Sequence, residues 1–309
     1  MLIDLVLLVF GFVLLIKGAD YFVDGASSLA MRMCIPPIII GLTVVAMGTS
    51  APEAAVSISS ALHGSNAIAI GNVLGSNIMN VFFILGVTAM ISALSVQKNT
   101  VRYEIPFVAL ITLLLCWMGA GFGAISRAGA CVLLGLFALF LVYLYIISRG
   151  TSCEIDCAKN LSKTRITLYI VLGLVALVLG SNLTVESACS IARYIGVSER
   201  VIGLTIVAIG TSLPELVTSV IAARKGESDI AIGNIVGSNI FNVLFVLGVA
   251  GVILPIPFNQ AFLFDGAIAI LAVIMLWIFT FRKKQLTKIP GAIFVLVYLA
   301  YIVYLIIGK

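Results

Sequence analysis

The sequence predicts an all-α polytopic membrane protein with ten transmembrane helices, arranged as two inverted five-helix repeats. Three observations lead to this fold class: the apolar composition, the number of long apolar stretches, and an internal duplication. Of the 309 residues, 62% are hydrophobic and only 10% are charged. Soluble globular domains contain about 25% charged residues. The composition therefore excludes a soluble protein and favours an integral membrane protein.

Long apolar stretches account for the predicted helices. A helix that spans a bilayer needs about 20 predominantly apolar residues. Only short loops separate the stretches, and the longest polar segment, residues 149–165, has 17 residues. We therefore predict a first repeat over residues 1–148, a linker over 149–165 and a second repeat over 166–309. The ten stretches begin near Leu2, Pro36, Ala67, Ile105, Ala128, Ile166, Val201, Ile230, Ala261 and Gly291.

The duplication consists of two copies of the same pair of motifs. GLTVVAMGTSAPE at residues 41–53 recurs as GLTIVAIGTSLPE at 203–215, and AIGNVLGSNIMN at 69–80 recurs as AIGNIVGSNIFN at 231–242. Both copies are offset by 162 residues, and 19 of the 25 aligned positions are identical. Because each repeat holds five spans, an odd number, the second copy enters the membrane in the opposite sense. Inverted repeats of this kind are typical of secondary transporters, with the ion site near the bilayer midplane.

The basic residues predict the orientation of the chain. With the N-terminus outside, thirteen lysines and arginines fall in the loops that would be cytoplasmic, and four fall outside. Lysine and arginine bias short loops toward the cytoplasm. We therefore expect a protein of the plasma membrane with both termini outside and the 149–165 linker in the cytoplasm. The net charge of +5 follows from these loops, and no basic patch supports nucleic-acid binding.

Two glutamates, Glu53 and Glu215, lie within otherwise uncharged apolar stretches. An ionisable side chain at membrane depth is costly unless it is paired or coordinated, so it indicates a functional site by default. A role in helix packing alone is the alternative. Pro52 and Pro214 lack an N–H group, so each leaves a carbonyl oxygen without its helical donor beside a glutamate. Hydroxyl groups within one turn come from Thr49, Ser50, Thr211 and Ser212.

A polar stripe in the second motif adds further oxygen atoms. Its residues recur every four positions and therefore share one helix face. Interhelical hydrogen bonding is the alternative reading of such a stripe, and both readings stay open for Asn72 and Asn234. Two carboxylates with neutral oxygens, and no cysteine or histidine, select hard cations such as Ca²⁺ or Na⁺. The stripe consists of Asn72, Ser76 and Asn80, and its second copy of Asn234, Ser238 and Asn242.

The paired GTSxPE and GSNxxN blocks resemble the two alpha repeats of the sodium/calcium exchanger family, within the cation/Ca²⁺ antiporter superfamily. The resemblance covers nearly the whole chain. It implies a compact prokaryotic-type exchanger, because the 17-residue linker cannot contain the large regulatory loop of eukaryotic exchangers. It further implies that Glu53 and Glu215 are the main Ca²⁺ and Na⁺ ligands. The other implied ligands are Thr49, Thr211, Ser50, Ser212, Ser76 and Ser238, the backbone carbonyls of Ala46 and Ala208, and Asn80 and Asn242.

The predicted function is secondary active Na⁺/Ca²⁺ antiport by alternating access, electrogenic and independent of K⁺. The K⁺ prediction follows from Asn242, because the potassium-dependent branch resembles this sequence but carries aspartate at that position. A proton/Ca²⁺ antiporter, a cation channel and an intramembrane hydrolase with paired acids are the alternatives, and inverted repeats favour a carrier. We predict no enzymatic activity, no cofactor and no protein partner. The expected bound species are Ca²⁺, Na⁺ and bilayer lipid.

Overall fold

The structure, a computed structural model, describes residues 2–149, 161–196 and 208–307. The predicted linker residues 150–160 and the first part of the seventh predicted span lie outside these residues. In the described part, eight helices are long and apolar enough to cross a membrane, and nine if one bent pair counts as a single span. The predicted all-α membrane protein is thus confirmed. The helices are α1 (Leu2–Met33), α2 (Pro37–Thr49), α3 (Ala51–Leu62), α4 (Asn66–Ile91), α5 (Thr100–Phe122), α6 (Arg127–Ser148), α7 (Lys163–Tyr194), α8 (Ala208–Thr211), α9 (Leu213–Arg224), α10 (Ser228–Ile253), α11 (Gln260–Phe281) and α12 (Lys288–Ile307).

Four two-residue strands, which the sequence did not indicate, connect the ends of two helices. They are β1 (Leu94–Ser95), β2 (Ala124–Ile125), β3 (Ile256–Pro257) and β4 (Gln285–Leu286). β1 pairs antiparallel with β4, and β2 pairs antiparallel with β3. Because β1 precedes α5 and β4 follows α11, while β2 follows α5 and β3 precedes α11, the two helices are joined at both ends and run antiparallel.

Burial separates central helices from peripheral ones. The most apolar stretches of α4 and α10 are buried over 72% and 83% of their residues, whereas those of α1 and α12 are buried over 22%. A helix that is apolar all round and also buried lies in the interior of a helical protein, while an exposed apolar helix in a membrane protein faces lipid. The centre is therefore built from α4 and α10, which carry the second motif, packed against α2, α3 and α9, which carry the first.

The two longest helices, α1 and α7, pack along a seam of glycines. Gly11 lies against Thr184, Gly18 against Leu177, and Gly25 against Ile170, so the helices run antiparallel. A Cβ atom on Gly18 would come within 2.9 Å of the backbone nitrogen of Leu177. Small residues at such positions allow two membrane helices to approach closely. The seam therefore depends on glycine.

The loop after α9 is attached to α1 by an ion-pair cluster. The Lys225 ammonium lies 2.6 Å from a carboxylate oxygen of Asp20 and 2.7 Å from one of Asp24. Glu227, two residues after Lys225, accepts a hydrogen bond of 2.7 Å from the Ser27 hydroxyl of α1. Partial burial lowers the pKa of Lys225, but the hydrogen bonds from Lys225 to the two aspartates outweigh this effect, so its pKa is raised. The cluster therefore holds α1 against the C-terminal end of α9.

Substituting Lys225 by glutamine is expected to reduce thermal stability by at most about 1 kcal/mol, because the cluster is partly exposed to solvent. A pKa that is raised by folding means that the ion pairs contribute fully at pH values below the ordinary lysine pKa. The contribution disappears as the pH rises through the higher value of the folded state. Thermal unfolding of the purified protein at neutral and strongly alkaline pH checks this. The difference between wild type and Lys225→Gln should vanish at alkaline pH, and Arg224→Gln, at the exposed neighbouring position, should show no such pH-dependent difference.

Candidate cation site

The two duplicated glutamates converge in the centre of the protein. Glu53 is 1% exposed and Glu215 is fully buried. The Ser50 hydroxyl donates a hydrogen bond of 2.8 Å to Oε1 of Glu215, and the Ser212 hydroxyl donates one of 3.2 Å to Oε1 of Glu53. Each glutamate is therefore held by the serine that precedes the other. The motif copies, 162 residues apart in sequence, form one site.

The local backbone explains why these carboxylates lie at helix ends. The helix that carries Glu53 breaks at Ser50, and α2 and α3 meet there at an angle of 51°. Pro52 is the second residue of α3 and Pro214 the second of α9, positions at which proline is tolerated because no donor is needed there. Each glutamate is thus in the first turn of its helix. The positive end of the helix dipole stabilises a carboxylate at this position.

Three π-helical turns border the same region. They cover Gly41–Val45 in α2, Asn80–Leu85 in α4 and Asn242–Val246 in α10. A π-helical turn frees or lengthens backbone hydrogen bonds and is frequent at functional sites. Two of these turns begin at Asn80 and Asn242, which places both side chains where α4 and α10 change their helical phase.

Asn72 and Asn234 form interhelical hydrogen bonds. The Asn72 amide donates to the Glu53 carbonyl at 3.3 Å and to the Ser57 hydroxyl at 3.0 Å. Asn234 makes the equivalent bonds to the Glu215 carbonyl at 3.3 Å and to Ser219 at 3.0 Å. These bonds fasten each half of the polar stripe to the helix that carries a glutamate. For Asn72 and Asn234 the sequence left both ion coordination and interhelical hydrogen bonding open, and the structure shows interhelical hydrogen bonds.

Asn77 and Asn239, which the sequence analysis did not select, join the two copies of the stripe. Asn80 donates to the amide oxygen of Asn239 at 3.0 Å, and Asn242 donates to the amide oxygen of Asn77 at 3.2 Å. The Asn77 and Asn239 amides in turn donate to each other's backbone carbonyls, at 3.2 and 3.4 Å. Asn80 and Asn242 therefore each donate one hydrogen bond from the side-chain amide, while their amide oxygens have no partner among the described residues. In the sequence, the signal that could have identified Asn77 and Asn239 is the GSN triplet, which occurs in both copies of the second motif.

Eight buried side-chain oxygen atoms in the described part of the chain have no hydrogen-bond partner, and four of them belong to the duplicated motifs. These four are Oε2 of Glu53, Oε2 of Glu215, and Oδ1 of Asn80 and of Asn242. Buried polar atoms are nearly always hydrogen-bonded, and an unpaired buried carboxylate is particularly costly. All four atoms are acceptors, so a hydrogen-bond donor or a cation can satisfy them. In chemical terms the set suits a hard cation, because every available ligand atom is oxygen.

The remaining predicted residues lie on α2, α4, α8 and α10 or at the breaks before α3 and α9. Thr49 and Ser50 are fully buried, and the Thr49 hydroxyl donates to the Asn234 amide oxygen at 2.9 Å. Ser238 is fully buried and donates to the Ala46 carbonyl at 3.4 Å. Among the described residues, no cluster of three or more histidine, cysteine, aspartate or glutamate side chains is found. Four predicted ligands remain. Ser76 is buried on α4, and Ser212 lies at the break before α9. Ala208 and Thr211 are the first and last residues of α8.

Replacing Asn239 by leucine is expected to weaken Ca²⁺ binding by about tenfold or more. The Asn80 side-chain amide loses its hydrogen-bond acceptor, so the direction of the Asn80 amide oxygen is no longer fixed. Leaving such a buried donor unsatisfied costs about 1–3 kcal/mol. Isothermal titration of the purified protein with Ca²⁺ measures the effect. Asn66→Leu is the matched control, since Asn66 is also buried on α4 but donates to the Leu254 carbonyl, away from the glutamates. Equal losses of affinity in the two variants would show that Asn239 has no specific role.

Comparisons with known proteins agree with one another. The family model described as sodium/calcium exchanger protein matches residues 3–146 and 165–307. The chain is 40% identical to the protein CaxA of Alkalimonas amylolytica, over 97% of this chain and 98% of that one. It is 32% identical to the sodium/calcium exchanger MaX1 of Methanosarcina acetivorans, over 98% of both chains. A solved structure of the sodium-calcium exchanger NCX_Mj superposes with a TM-score of 0.85 at 30% identity, covering 98% of this chain and 99% of that chain.

Proposed function

Because this chain belongs to the sodium/calcium exchanger protein family, we propose that it is a secondary active antiporter that exchanges Na⁺ for Ca²⁺ by alternating access. The observation that carries the proposal is the set of four unpartnered, buried oxygens on Glu53, Glu215, Asn80 and Asn242. Two carboxylates have a formal charge of −2, which one Ca²⁺ neutralises. Several Na⁺ ions at different oxygens do the same, so the two kinds of ion compete for one site.

The proposed ligands are the twelve residues predicted from the sequence. The carboxylates of the two glutamates contribute the charge that Ca²⁺ requires, and hydroxyl, amide and carbonyl oxygens add the neutral ligands that hard cations accept. The ion substrates Ca²⁺ and Na⁺ are cargo, and the proposal includes neither a cofactor nor a reaction catalysed on a substrate. The ligands are Glu53, Glu215, Thr49, Thr211, Ser50, Ser212, Ser76, Ser238, Asn80, Asn242, Ala46 and Ala208.

The proposal includes ten membrane spans in two inverted repeats, over residues 1–148 and 166–309, with a cytoplasmic linker over 149–165. Two observations support it. First, α1 and α7 occupy equivalent positions in the repeats and run antiparallel in contact. Second, the hydrogen bonds from Ser50 and Asn72 recur at Ser212 and Asn234, 162 residues later. Inverted repeats around a midplane site allow the same residues to be opened to either side of the membrane.

Charge and orientation complete the proposal. Asn242 provides an amide where a carboxylate would add a third negative charge, so we propose that exchange is independent of K⁺. Three or more Na⁺ ions per Ca²⁺ would move net charge, and each elementary charge is worth about 2.3 kcal/mol per 100 mV of membrane potential. We further propose a plasma-membrane location with both termini outside, since this orientation assigns thirteen basic residues to cytoplasmic loops and four to the outside.

Uptake of ⁴⁵Ca²⁺ into proteoliposomes tests the coupling ion. Vesicles are loaded with Na⁺, K⁺ or choline, and a separate set carries an imposed pH gradient without Na⁺. We expect uptake only from the Na⁺-loaded vesicles, stimulated by an inside-positive potential and unchanged when K⁺ is omitted. Uptake driven by the pH gradient alone would identify a proton/Ca²⁺ antiporter instead. Uptake that is independent of any internal counter-ion would identify a channel.

Acidic pH is expected to inhibit exchange. Two carboxylates held in one buried site repel each other, so a proton on either of them competes with Ca²⁺ and Na⁺ for the same oxygens. We expect Na⁺-dependent ⁴⁵Ca²⁺ uptake to fall about tenfold for each pH unit once proton binding dominates, and high Ca²⁺ to restore it. The initial rate at several pH values, measured with equal pH on both sides of the vesicle membrane, checks this. A rate that stays constant throughout the acidic range would contradict proton competition.

A further inference from the structure

A cavity of about 370 Å³ lies between α5 and α11, away from the glutamate site. Three basic residues line its mouth, and the rest of its lining is apolar. The residues that line it are Lys98, Val101, Arg102, Pro106, Trp277, Phe281 and Lys284.

Three cations surround this mouth without an acidic partner. In the described part of the chain, no ion pair of Lys98, Arg102 or Lys284 is found, and the pairs of Lys225 with Asp20 and Asp24 lie elsewhere. The Arg102 guanidinium lies 5.5 Å from the centre of the Tyr103 ring, at the exposed rim. Like charges gathered in this way repel one another. An anion at the mouth would relieve that repulsion.

The fold brings the cations together. Pairing of β1 with β4 joins the loop before α5, which carries Lys98, to the loop after α11, which carries Lys284. The amide of Val96 also donates to the Lys284 carbonyl at 2.8 Å. In the lining of the cavity, the Trp277 indole donates to the Val101 carbonyl at 3.0 Å, which fixes the ring between α5 and α11. The basic mouth is therefore held by backbone pairing and a partly buried hydrogen bond.

An apolar groove of about 190 Å³ continues from the cavity along the same two helices. The two spaces share Pro106 and Trp277, and the groove has no charged residue in its lining. A charged mouth above an apolar groove matches the amphipathic shape of a phospholipid, with its phosphate at the mouth and its acyl chain along the helices. The groove is lined by Ile105, Pro106, Ala109, Val273, Ile274 and Trp277.

The opposite ends of α5 and α11 lack these features, although β2 and β3 pair there in the same way. Arg127 is the one cation near that pair among the described residues, and its guanidinium donates to the carbonyls of Val252 and Ile253, at 3.2 Å each. Phe258 packs there directly on Gly119, where an added Cβ would meet its ring at 2.2 Å. The basic cavity is therefore not a simple consequence of the repeated fold.

We propose that this cavity and groove between α5 and α11 form a binding site for one anionic phospholipid, whose phosphate contacts Lys98, Arg102 and Lys284 and whose acyl chain lies against Trp277. Basic pockets between transmembrane helices bind anionic headgroups, and each lysine or arginine near a membrane surface contributes about 1 kcal/mol of attraction. The site is separate from ion coordination, so it does not depend on the proposed exchange reaction.

Fluorescence of Trp277 tests the proposal directly, because Trp277 lies in the site and the chain has two tryptophans in total. In the Trp117→Phe background, the protein is placed in phosphatidylcholine vesicles that contain either brominated phosphatidylglycerol or brominated phosphatidylcholine at equal mole fraction. We expect phosphatidylglycerol to associate at least about fivefold more strongly than phosphatidylcholine, the ratio that one basic residue provides. Equal quenching by the two brominated lipids would overturn the site.

Variants distinguish the cavity from general attraction by the basic loops. The preference for phosphatidylglycerol over phosphatidylcholine should fall to a ratio of about one in the triple variant Lys98→Gln/Arg102→Gln/Lys284→Gln. It should persist in Arg282→Gln/Lys283→Gln/Lys288→Gln, which removes the same charge from neighbouring positions outside the cavity lining. A charge-keeping variant, Lys98→Arg/Arg102→Lys/Lys284→Arg, should also keep it, which shows that the fold tolerates changes at these positions. Equal loss in both glutamine triples would overturn the proposal, as would complete displacement of the lipid by soluble glycerol phosphate.

Discussion

Replacing either Glu53 or Glu215 by glutamine is expected to abolish Na⁺-driven Ca²⁺ exchange. Each carboxylate provides half of the formal charge that balances a Ca²⁺ ion, and both are buried, where water cannot compensate for a missing charge. Breaking a buried charge pair by removing one partner costs about 3–5 kcal/mol. This corresponds to a loss of Ca²⁺ affinity of about two to four orders of magnitude.

Glu104→Gln is the matched control for these two variants. Glu104 is likewise a buried glutamate, 5% exposed, but it lies on α5 and accepts a hydrogen bond from Tyr143. A glutamine accepts the same bond, so we expect near-normal ⁴⁵Ca²⁺ uptake. The measurement is the initial rate in Na⁺-loaded proteoliposomes, with Ca²⁺ titration of the purified proteins alongside. Normal Ca²⁺ affinity in both Glu53→Gln and Glu215→Gln would remove these glutamates from the mechanism.

Introducing a methyl group at Gly237 is expected to be the most damaging small substitution near the site. A Cβ atom there would lie 2.7 Å from both the Cα and the carbonyl oxygen of Leu42, and 2.8 Å from the Cβ of Ala46. Two of these contacts are with backbone, so no side-chain rotation relieves them. Overpacking of this kind costs about 1–3 kcal/mol. Because Ser238, the next residue, donates to the Ala46 carbonyl, separating α2 from α10 also moves the ion ligands apart.

We expect Gly237→Ala to fold with lowered thermal stability and to lose at least about tenfold in Ca²⁺ affinity, as 1.4 kcal/mol corresponds to a factor of ten. Gly135→Ala serves as the control, because Gly135 lies on the exposed side of α6 with no atom within 4 Å of an added Cβ. Thermal unfolding and Ca²⁺ titration of both variants provide the comparison. If Gly237→Ala bound Ca²⁺ as tightly as Gly135→Ala, the close approach of α2 and α10 would not be needed for ion binding.

The convergence of the two glutamates was predictable because membrane depth restricts what a carboxylate can do. Glu53 and Glu215 lie in duplicated apolar segments where burial without a partner is costly, so their meeting at one place followed from the repeat. The polar stripe was predictable from helical periodicity. Residues 150–160 and 197–207 lie outside the described structure, so the linker and the start of the seventh span stay predictions.

The roles of Asn77 and Asn239 could not be predicted in the same way. Each lies one position after a stripe serine, on an adjacent helix face, so the spacing of four residues did not include it. Its importance depends on the crossing of α4 and α10, which brings two distant amides within 3.0 and 3.2 Å of Asn80 and Asn242. The two-residue strand pairs also depend on tertiary contact, since strands this short leave almost no pattern in sequence.

Anomalous diffraction from crystals grown in Ca²⁺, and then soaked in saturating Na⁺, tests the central claim most directly. We predict a single strong Ca²⁺ peak about 2.3–2.6 Å from the carboxylate oxygens of both Glu53 and Glu215, the usual distance for oxygen ligands. We also predict that this peak disappears in Na⁺, because both ions use the same oxygens. A Ca²⁺ peak that does not contact the two glutamates, or that persists in saturating Na⁺, would contradict the account.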